Sequence, residues 1–544
     1  SAASDVYKRQ PNKFINACWG IPLEAIGLVD GSRTGPDTGN WPHAINVILR
    51  WNFLNNICWW CDPDAAANLW RGTVQRARLN AQARVLTGQQ FLTDDVWTKV
   101  SKEVCRVWQK SFPCLPILPV NLYPIENWRK YDLFDLKICK AQRKWDVVGV
   151  FNYEEQNIVK TIDLSRLPLE KGKYHIYEFW KGTYLGCYSF CDRFTRILQP
   201  YEGELYSLVP SQEDRPVLIS TNRHATQGAL DLESIEWKKL EDAWEVSGVS
   251  SHIVEQDPYE LVFVSEKYKV IKAEAKGASA SFRNKPPVCS VAFVAERAGE
   301  LRWSVSFRKQ RFLFIATEPR FWNIPEKGEL RSKLRANSAC KWRVSPSDGR
   351  ILVSPLQGEF KGARGEIELV VSYKEGSFKR GELWRGKVVI EARGAEGSSR
   401  VQVPVTVLIS PPENLARNAK AKASSNWGKG YEAQMINDGS RRTRWNSAQG
   451  DKDGCWVELL WTGPVVFDTV VIDECVDFGN RIQAWRLEAG DKKLKLIARG
   501  KSVGRNYKVT LEAPVRANRL RLTVEKASVV PTIWEIEVYH ISQR

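Results

Sequence analysis

The first part of the chain, residues 11–115, alternates short apolar runs with amphipathic stretches, and each apolar run ends at polar residues. In three of the stretches apolar residues recur every three or four positions, which predicts amphipathic helices that follow strands. The predicted strands are residues 14–17, 25–29, 56–60 and 90–92, and the predicted helices are 44–55, 65–86 and 95–110. Four strand–helix units are half of an eight-stranded (β/α)8 TIM barrel, so the pattern predicts the C-terminal half of such a barrel.

After the proline-rich stretch 113–124 the period changes to two, and it keeps that period to the end of the chain. Alternating apolar and polar residues between glycine and proline turns predict antiparallel β-structure. We therefore assign residues 11–125 to the partial barrel, 126–275 to a β-sandwich and 276–409 to an immunoglobulin-like β domain. A Ser-Pro-Pro linker begins at Ser410 and introduces a last β-rich domain, residues 410–544.

Composition places the chain among globular proteins with several domains. It has 544 residues, of which 43% are hydrophobic and 26% are charged, and no apolar run is long enough to predict a membrane span. The net charge of +17 is spread along the chain and argues only weakly for an anionic partner. No helix-turn-helix, zinc-finger or RNP-type motif occurs, so we predict no nucleic-acid partner. The 23 tryptophans indicate carbohydrate instead, because flat aromatic faces stack on sugar rings as well as filling cores.

Twelve cysteines include two close pairs, Cys58 with Cys61 and Cys187 with Cys191. No pair has further ligands at zinc-site spacing, so we predict no zinc site there. Buried thiols and a structural disulfide both fit the pattern, and the redox compartment stays open.

The N-terminus gives a separate prediction. Met435 is the only methionine, and residues 1–10 contain no apolar signal core. We interpret residues 1–10 as a non-native leader that precedes a sequence entered in mid-domain. On that interpretation the N-terminal half of the barrel is missing, and a signal peptide would not be visible.

The candidate chemistry lies in the loop after the second predicted strand. A glycine turn there leads to Arg33, Asp37 and Trp41. Catalytic side chains collect in loops at the carboxyl ends of strands in such units. An arginine could bind a hydroxyl-rich ligand while the aspartate four residues later handles a proton. The alternative is an ordinary turn with a surface ion pair.

The hexapeptide Arg33-Thr-Gly-Pro-Asp-Thr38, followed by Trp41 and by Trp-Cys-Asp-Pro-Asp at 60–64, resembles the acid/base segment of α-galactosidases. These enzymes form glycoside hydrolase families 27 and 36, the melibiase-type group that includes raffinose synthases. The resemblance implies that Asp37 is the general acid/base and that Arg33 binds a sugar hydroxyl. It also implies substrate contacts from Cys18, Trp19, Gly20 and Trp41. From the residues themselves we expect Asp62 and Asp64 to bind loop backbone and neighbouring arginines.

The nucleophile has no assignment. Retaining glycosidases need two carboxyl groups about 5–5.5 Å apart. In the resembled family the nucleophile belongs to a Lys-x-Asp motif upstream of the acid/base. The only such motifs here end at Asp132 and Asp146, downstream of Asp37, and their order in the chain excludes them. The resemblance extends through the β domain to about residue 275, where we interpret His224 as a structural, hydrogen-bonded histidine. No catalytic cofactor is implied.

The tail, residues 410–544, resembles a discoidin-type (F5/8 type C) jelly roll of carbohydrate-binding module family 32. The residues that carry the resemblance include Ile-Asn-Asp-Gly at 436–439, Thr-Arg-Trp at 443–445 and Ile-Trp-Glu-Ile-Glu-Val-Tyr at 533–539. It implies a structural Ca²⁺ held by Asp438, Thr443 and Glu535, since a hard cation prefers oxygen ligands. An Asp-Gly turn without metal is the alternative. For sugar contact the variable loops offer Trp427, Asn480 and Arg481.

Together these features predict an extracellular or cell-surface glycoside hydrolase. It would be a retaining, α-galactosidase-like enzyme that acts on terminal α-linked sugars and carries a glycan-binding tail. One alternative is a non-catalytic glycan-binding protein, and a second is a raffinose-synthase-like transglycosylase, in which a sugar hydroxyl replaces water.

Overall fold

The computed structural model describes most of the chain, in two compact units. The described residues are 13–18, 23–34, 48, 51–64, 73–93, 96–125, 132–154, 156–310, 312–362, 365–410, 412–440 and 443–541. Unit 1 comprises residues 1–374 and 384–407, and unit 2 comprises residues 375–383 and 408–544. The described part is rich in β-strands and poor in helices, as the period-two pattern predicts for residues after 124.

Unit 1 begins with three short parallel strands. They are β1 (Asn16–Ala17), β2 (Gly31–Arg33) and β3 (Trp60–Asp62), in the order β1-β2-β3. Two α-helices follow, α1 (Val74–Thr87) and α2 (Lys102–Gln109). Single-turn 3₁₀ helices lie between these elements and after them, at Leu23–Ala25, Asn52–Leu54, Trp97–Lys99 and Pro119–Asn121.

The predicted half-barrel is not supported by this helix-poor arrangement. The apolar run 25–29 is not a strand, because the chain turns at Gly27, whose φ is 78°, and the strand begins only at Gly31. Residues 90–92 form no strand, and Phe91 is buried with its ring 4.4 Å from that of Trp108. Half of the predicted helix at 44–55 lies outside the described residues, and residues 51–55 contain a single 3₁₀ turn, Asn52–Leu54. Short apolar runs do not distinguish a strand from a buried turn.

Local capping explains where the two helices begin and end. The Thr73 side chain accepts a hydrogen bond from the Arg76 amide (3.3 Å), and Gly88 closes α1 in the left-handed region. Ser101 caps α2 in the same way through the Val104 amide (3.3 Å). Most of α1 after Ala77 is buried, so this helix lies in a core and not on a surface.

A six-stranded antiparallel sheet and a two-stranded ribbon follow the helices. The sheet order is β4-β5-β6-β11-β8-β9, and β7 pairs with β10. The strands are β4 (Leu122–Pro124), β5 (Leu133–Lys140), β6 (Arg143–Phe151), β7 (Ile158–Asp163), β8 (Lys173–Glu178), β9 (Thr183–Ser189), β10 (Arg193–Leu198) and β11 (Gly203–Pro210), with a 3₁₀ turn at Leu164–Arg166.

The next segment is a sandwich of two four-stranded sheets, ordered β12-β15-β18-β17 and β13-β14-β19-β16. Aromatic and branched side chains from both sheets fill its core. The strands are β12 (Val217–Thr221), β13 (Leu232–Lys239), β14 (Ala243–Ile253), β15 (Tyr259–Val264), β16 (Tyr268–Ala275), β17 (Ala278–Lys285), β18 (Val288–Ala295) and β19 (Gly299–Lys309). The domain limit proposed between residues 275 and 276 falls inside this sandwich, between β16 and β17.

Two further sheets complete unit 1, ordered β20-β22-β26-β24 and β21-β28-β27-β23-β25. Trp322 is fully buried there and donates a hydrogen bond to Ser332 Oγ (2.9 Å). The strands are β20 (Ile315–Glu318), β21 (Trp322–Ile324), β22 (Leu330–Ala336), β23 (Cys340–Pro346), β24 (Ile351–Ser354), β25 (Gln357–Phe360), β26 (Glu366–Tyr373), β27 (Leu383–Gly394) and β28 (Gly397–Leu408).

Unit 2 is built on one large antiparallel sheet with the order β30-β35-β31-β34-β32-β33, and β29 pairs with β31. Trp445 and Trp485 are fully buried in its core. Its strands are β29 (Lys420–Ala423), β30 (Trp445–Asn446), β31 (Trp456–Glu474), β32 (Ile482–Gly490), β33 (Lys495–Gly500), β34 (Tyr507–Ala527) and β35 (Thr532–Tyr539), and its 3₁₀ turns are Leu415–Asn418, Ala433–Ile436 and Val476–Phe478. The long strands β31 and β34 shift register along their length, which bends the sheet.

All twelve cysteines lie among the described residues, and all are free thiols. The sequence left buried thiols and a structural disulfide open, and the structure contains thiols. In the described part of the chain, no helix combines the length and the apolar character that crossing a membrane requires.

Candidate functional site

Polar side chains cluster at the carboxyl ends of β2 and β3. Arg33 Nη2 lies 2.6 Å from Asp64 Oδ2, and Asn16 Nδ2 donates to Asp62 Oδ2 at 2.5 Å. Asp62 Oδ1 also accepts from the Asp64 amide (2.8 Å), and its carbonyl accepts from the Thr34 amide (2.8 Å). The expectation that Asp62 and Asp64 bind loop backbone and a neighbouring arginine is therefore confirmed. The ion pair holds the Arg33 guanidinium at the rim of the parallel sheet.

The structure does not describe the proposed acid/base, Asp37. Asp37 and Trp41 lie outside the described residues, as do Trp19 and Gly20. Cys18 follows β1 and is exposed. The roles of Asp37 and Arg33 in binding or catalysis stay predictions, as do the contacts assigned to Cys18, Trp19, Gly20 and Trp41.

The two downstream Lys-x-Asp motifs have structural surroundings. Asp132 pairs with Lys160 (2.8 Å), and Asp146 pairs with Lys137 (2.8 Å). Burial, together with the nearby Asp135 carboxylate, raises the pKa of Asp146 to about 7.

His224 is 1% exposed, and its Nδ1 lies 2.7 Å from Thr226 Oγ1. Burial lowers its pKa to about 4, so the ring is neutral at neutral pH. The interpretation of His224 as a structural histidine is confirmed.

In unit 2 a buried carboxylate organises several loops. Glu474, at the end of β31, is fully buried and accepts backbone hydrogen bonds from Arg481 (2.6 Å), Ile482 (2.8 Å) and Gly504 (2.9 Å). A carboxylate with three backbone donors fixes the segments that carry them. Asp473, its neighbour, binds the Asn506 amide (3.0 Å). Glu474 was not among the predicted site residues, although an Asp-Glu pair that closes a long apolar strand was a visible signal in the sequence.

Trp427 reaches the same region through a chain of hydrogen bonds. Its amide donates to the Asn446 carbonyl (3.0 Å), and Asn446 pairs with Thr532 across β30 and β35. The Thr532 carbonyl accepts from the Cys475 amide (3.1 Å). Trp427 itself is 46% exposed. We call the loops 424–431, 475–481, 502–506 and 528–531 the loop end of unit 2.

Arg481 and Asn480 belong to the loop end. Arg481 Nη1 donates to the Val530 carbonyl (2.9 Å), and the Ser528 amide donates to the Arg481 carbonyl (2.8 Å). Asn480 is exposed beside it. The structure thus places all three candidate sugar contacts of the tail in connected loops. It adds Arg505, which stacks 5.0 Å from the ring of Trp534 and was not predicted.

The three candidate calcium ligands lie close together, and Glu535 among them belongs to β35. Thr443 Oγ1 donates to Asp438 Oδ2 (2.6 Å), while the Ser440 amide contacts Asp438 Oδ1 (2.9 Å) and Glu535 Oε1 (2.9 Å). Burial and the facing Asp438 carboxyl raise the pKa of Glu535 to about 8. Glu535 Oε2 is buried and has no hydrogen-bond partner among the described residues.

This arrangement fits a hard cation. Two carboxyl groups that face each other, with a hydroxyl beside them, supply the all-oxygen donor set that Ca²⁺ prefers. Within the described ranges no cluster of three or more His, Cys, Asp or Glu side chains could hold a metal ion. The threonine hydroxyl and backbone carbonyls would therefore have to complete the coordination.

Comparison with known proteins gives one family match, which lies in the tail. Residues 414–538 match a domain of unknown function, DUF7402, which is less than a quarter of the chain. No curated protein matches the chain.

Solved structures that are similar to part of the chain include glycosidases and carbohydrate-binding modules. A putative α-L-fucosidase from Bacteroides thetaiotaomicron is 27% identical over 24% of this chain and 29% of its own, with a TM-score of 0.23. The family 32 module of C. perfringens NanJ, solved with galactose, is 20% identical over 24% of this chain and 98% of its own, with a TM-score of 0.22. A chitosan-binding module from Paenibacillus sp. IK-5, solved with chitotriose, is 21% identical over 23% of this chain and 99% of its own, with a TM-score of 0.22. The chain spans less than a third of the fucosidase structures that it matches.

Proposed function

We propose that unit 2 binds glycans through its loop end. The observation that carries the proposal is the exposed ring of Trp427. The Trp427 backbone is linked by hydrogen bonds to the strands that also position Arg481. An aromatic face binds the apolar face of a sugar ring, while guanidinium and amide groups bind its hydroxyls. The tail's resemblance to family 32 modules supports the same function.

The rigidity of these loops favours binding. Glu474 holds the 479–482 and 502–505 segments through backbone hydrogen bonds, so the loops lose little conformational freedom when a ligand is bound. A bound Ca²⁺ would be held by Asp438, Thr443 and Glu535 and would neutralise their facing carboxyl groups. Its role would be structural, since nothing in the proposed function requires it to touch the sugar.

A titration tests this proposal. The whole chain is titrated with an α-galactose-terminated oligosaccharide, because α-galactose is what the N-terminal resemblance leads us to expect. Binding should be saturable and should weaken in Asn480→Ala. A Leu496→Ala variant, in the edge strand β33, is the matched control, because Leu496 is exposed but lies outside the loop end. Equal affinity in Asn480→Ala and wild type would count against the assigned loops. Absence of binding to any terminal galactoside, glucoside or fucoside would reject the proposal itself.

A second candidate function is hydrolysis by a retaining, α-galactosidase-like mechanism. The observation that favours it is the polar cluster of Arg33, Asp62 and Asp64 at the carboxyl ends of parallel strands, where open α/β sheets bind their ligands. Asp37 would protonate the leaving oxygen and later deprotonate water. Arg33, oriented by Asp64, would bind a hydroxyl of the sugar. The nucleophile remains unassigned.

Turnover of α-galactosides tests the enzymatic candidate. In the natural protein, Asp37→Asn should abolish turnover of a substrate whose leaving group is poor, because such a group needs the proton. A substrate with an activated aryl leaving group should be less affected. Equal loss on both substrates, or no loss on either, would contradict the acid/base assignment. Product analysis with and without an acceptor sugar separates hydrolysis from transglycosylation, and secretion of the natural protein tests the extracellular localisation.

A further inference from the structure

Unit 1 contains a cavity of about 350 Å³ that the functions proposed above do not use. One wall comes from β8 and β9, where Tyr177 and Tyr184 are cross-strand neighbours. The opposite wall is the outer face of the sheet β12-β15-β18-β17, where Val262, Ser290 and Arg283 form one row across three strands. A volume of this size lies in the lower range of small-molecule sites, roughly 300–1,000 Å³.

A half-buried arginine lines this cavity without a hydrogen-bonded counterion. Arg320 lies between β20 and β21, and its Nη2 is buried and has no hydrogen-bond partner among the described residues. Its guanidinium stacks on the Tyr184 ring at 5.0 Å. Glu266 and Glu318, which act on Arg320 electrostatically, form their ion pairs with Arg335 instead, at 2.6 and 2.9 Å. Burial of the Arg320 charge lowers its pKa, and an anion in the cavity would relieve that unfavourable burial.

Two further cationic side chains give the described lining a net positive charge. Arg283 and Lys285 project from β17 at the solvent-exposed edge of the cavity. Among the described lining residues the one carboxylate is Glu260, which leaves three cationic groups against one anionic group. His175 lies behind the wall, 2.8 Å from the Tyr184 hydroxyl, and burial lowers its pKa to about 4, so it adds no charge at neutral pH.

The geometry points to a binding site in unit 1 for a sugar-sized ligand that carries a carboxylate or sulfate group. The anionic group would pair with Arg320, with Arg283 and Lys285 closing around it. Tyr177 and Tyr184 supply aromatic wall, and the hydroxyls of Thr183 and Ser290 supply hydrogen-bonding groups for the remainder of the ligand. The inference is independent of glycan binding by the loop end, because no residue of unit 2 contributes to the cavity.

Titration with defined sugars tests the inference. Glucuronate, glucose 6-sulfate and glucose are titrated into the full chain that carries Trp427→Ala, so that the loop end of unit 2 contributes little. We expect one or both anionic sugars to bind and glucose not to bind, and we expect raised salt to weaken the interaction. The two anionic probes separate a carboxylate from a sulfate preference. Glucose that binds as well as both anionic sugars, or the failure of both to bind, would overturn the inference.

Variants locate the site. Arg320→Gln should weaken binding about tenfold, because a charge-assisted hydrogen bond from the buried Nη2 atom is lost. The double variant Arg283→Ala/Lys285→Ala should weaken it about fivefold, because exposed charges contribute less. Arg331→Ala is the matched control, since Arg331 is 65% exposed and lies in β22, away from the cavity. If Arg320→Gln does not fold, the double variant decides. Unchanged affinity in a folded Arg320→Gln or in the double variant would overturn the inference.

Discussion

Truncating Trp427 gives the prediction with the most direct structural basis. A tryptophan side chain offers about 250 Å² of surface, and Trp427 is 46% exposed, so about 115 Å² is available to a ligand. Burying half to all of that area at about 25 cal/mol per Å² contributes about 1.5–3 kcal/mol to binding. Trp427→Ala should therefore weaken binding of the glycan by about 10- to 100-fold.

Calorimetric titration of wild type and Trp427→Ala with the same oligosaccharide measures this difference. The melting temperature of unit 2 should change little, because the lost surface faces solvent and not the core. Trp427→Phe should retain part of the affinity, and Leu496→Ala should bind as wild type does. A folded Trp427→Ala variant whose affinity falls less than twofold would refute the assignment of this ring to the glycan site.

Three further predictions concern stability. Glu474→Ala should lower the free energy of unfolding of unit 2 by about 3 kcal/mol, because three backbone N–H groups lose a buried acceptor; urea unfolding measures the loss, and a change below about 0.5 kcal/mol would contradict the role given to Glu474. His224 has a folded-state pKa of about 4, whereas the pKa of an unperturbed histidine is about 6.5. The unfolded chain therefore binds more protons between those values, and the free energy of unfolding falls as pH drops from 6.5 to 4. Unfolding at pH 7 and pH 5 should show His224→Gln losing about 2 kcal/mol less than wild type over this interval, and parallel losses would argue against a buried neutral ring. Removing Ca²⁺ with a chelator should lower the melting temperature of unit 2 by about 5 °C; this magnitude assumes a dissociation constant of about 10⁻⁴ M and 1 mM Ca²⁺ before chelation. Asp438→Asn should melt at the same temperature with and without Ca²⁺. A wild-type melting temperature that does not depend on Ca²⁺ would reject the metal site.

The hydrophobic pattern predicted the β-rich part of the chain better than its first hundred residues. Alternation with period two places one face of a strand against the core whatever the neighbouring strands are. It therefore predicts strands even when their pairing is unknown. Strands such as β18 and β23 follow that alternation, whereas β6 and β11 are buried along almost their whole length. By contrast, the run 25–29 is apolar but turns at Gly27, and Leu28 is 71% exposed. In such short runs the tertiary surroundings decide between strand and turn.

Residue spacing could predict some side-chain groupings but not the contacts inside them. The Asp438, Thr443 and Glu535 set came from a family resemblance, and the structure brings these residues together although almost a hundred residues separate the first from the last. Glu474 and Arg320 were not predicted. The contacts of a buried carboxylate that serves three loops, or of a half-buried arginine without a hydrogen-bonded counterion, join distant segments, and the local sequence does not show which segments those are.

The most direct test of glycan binding by the loop end is amide hydrogen exchange with and without a saturating α-galactose-terminated oligosaccharide. If the loop end binds the glycan, we expect slower exchange in peptides that cover residues 424–431 and 475–481, with no comparable change in the β33 edge strand. Protection confined to other parts of unit 2, with 424–431 and 475–481 unchanged at saturation, would contradict it.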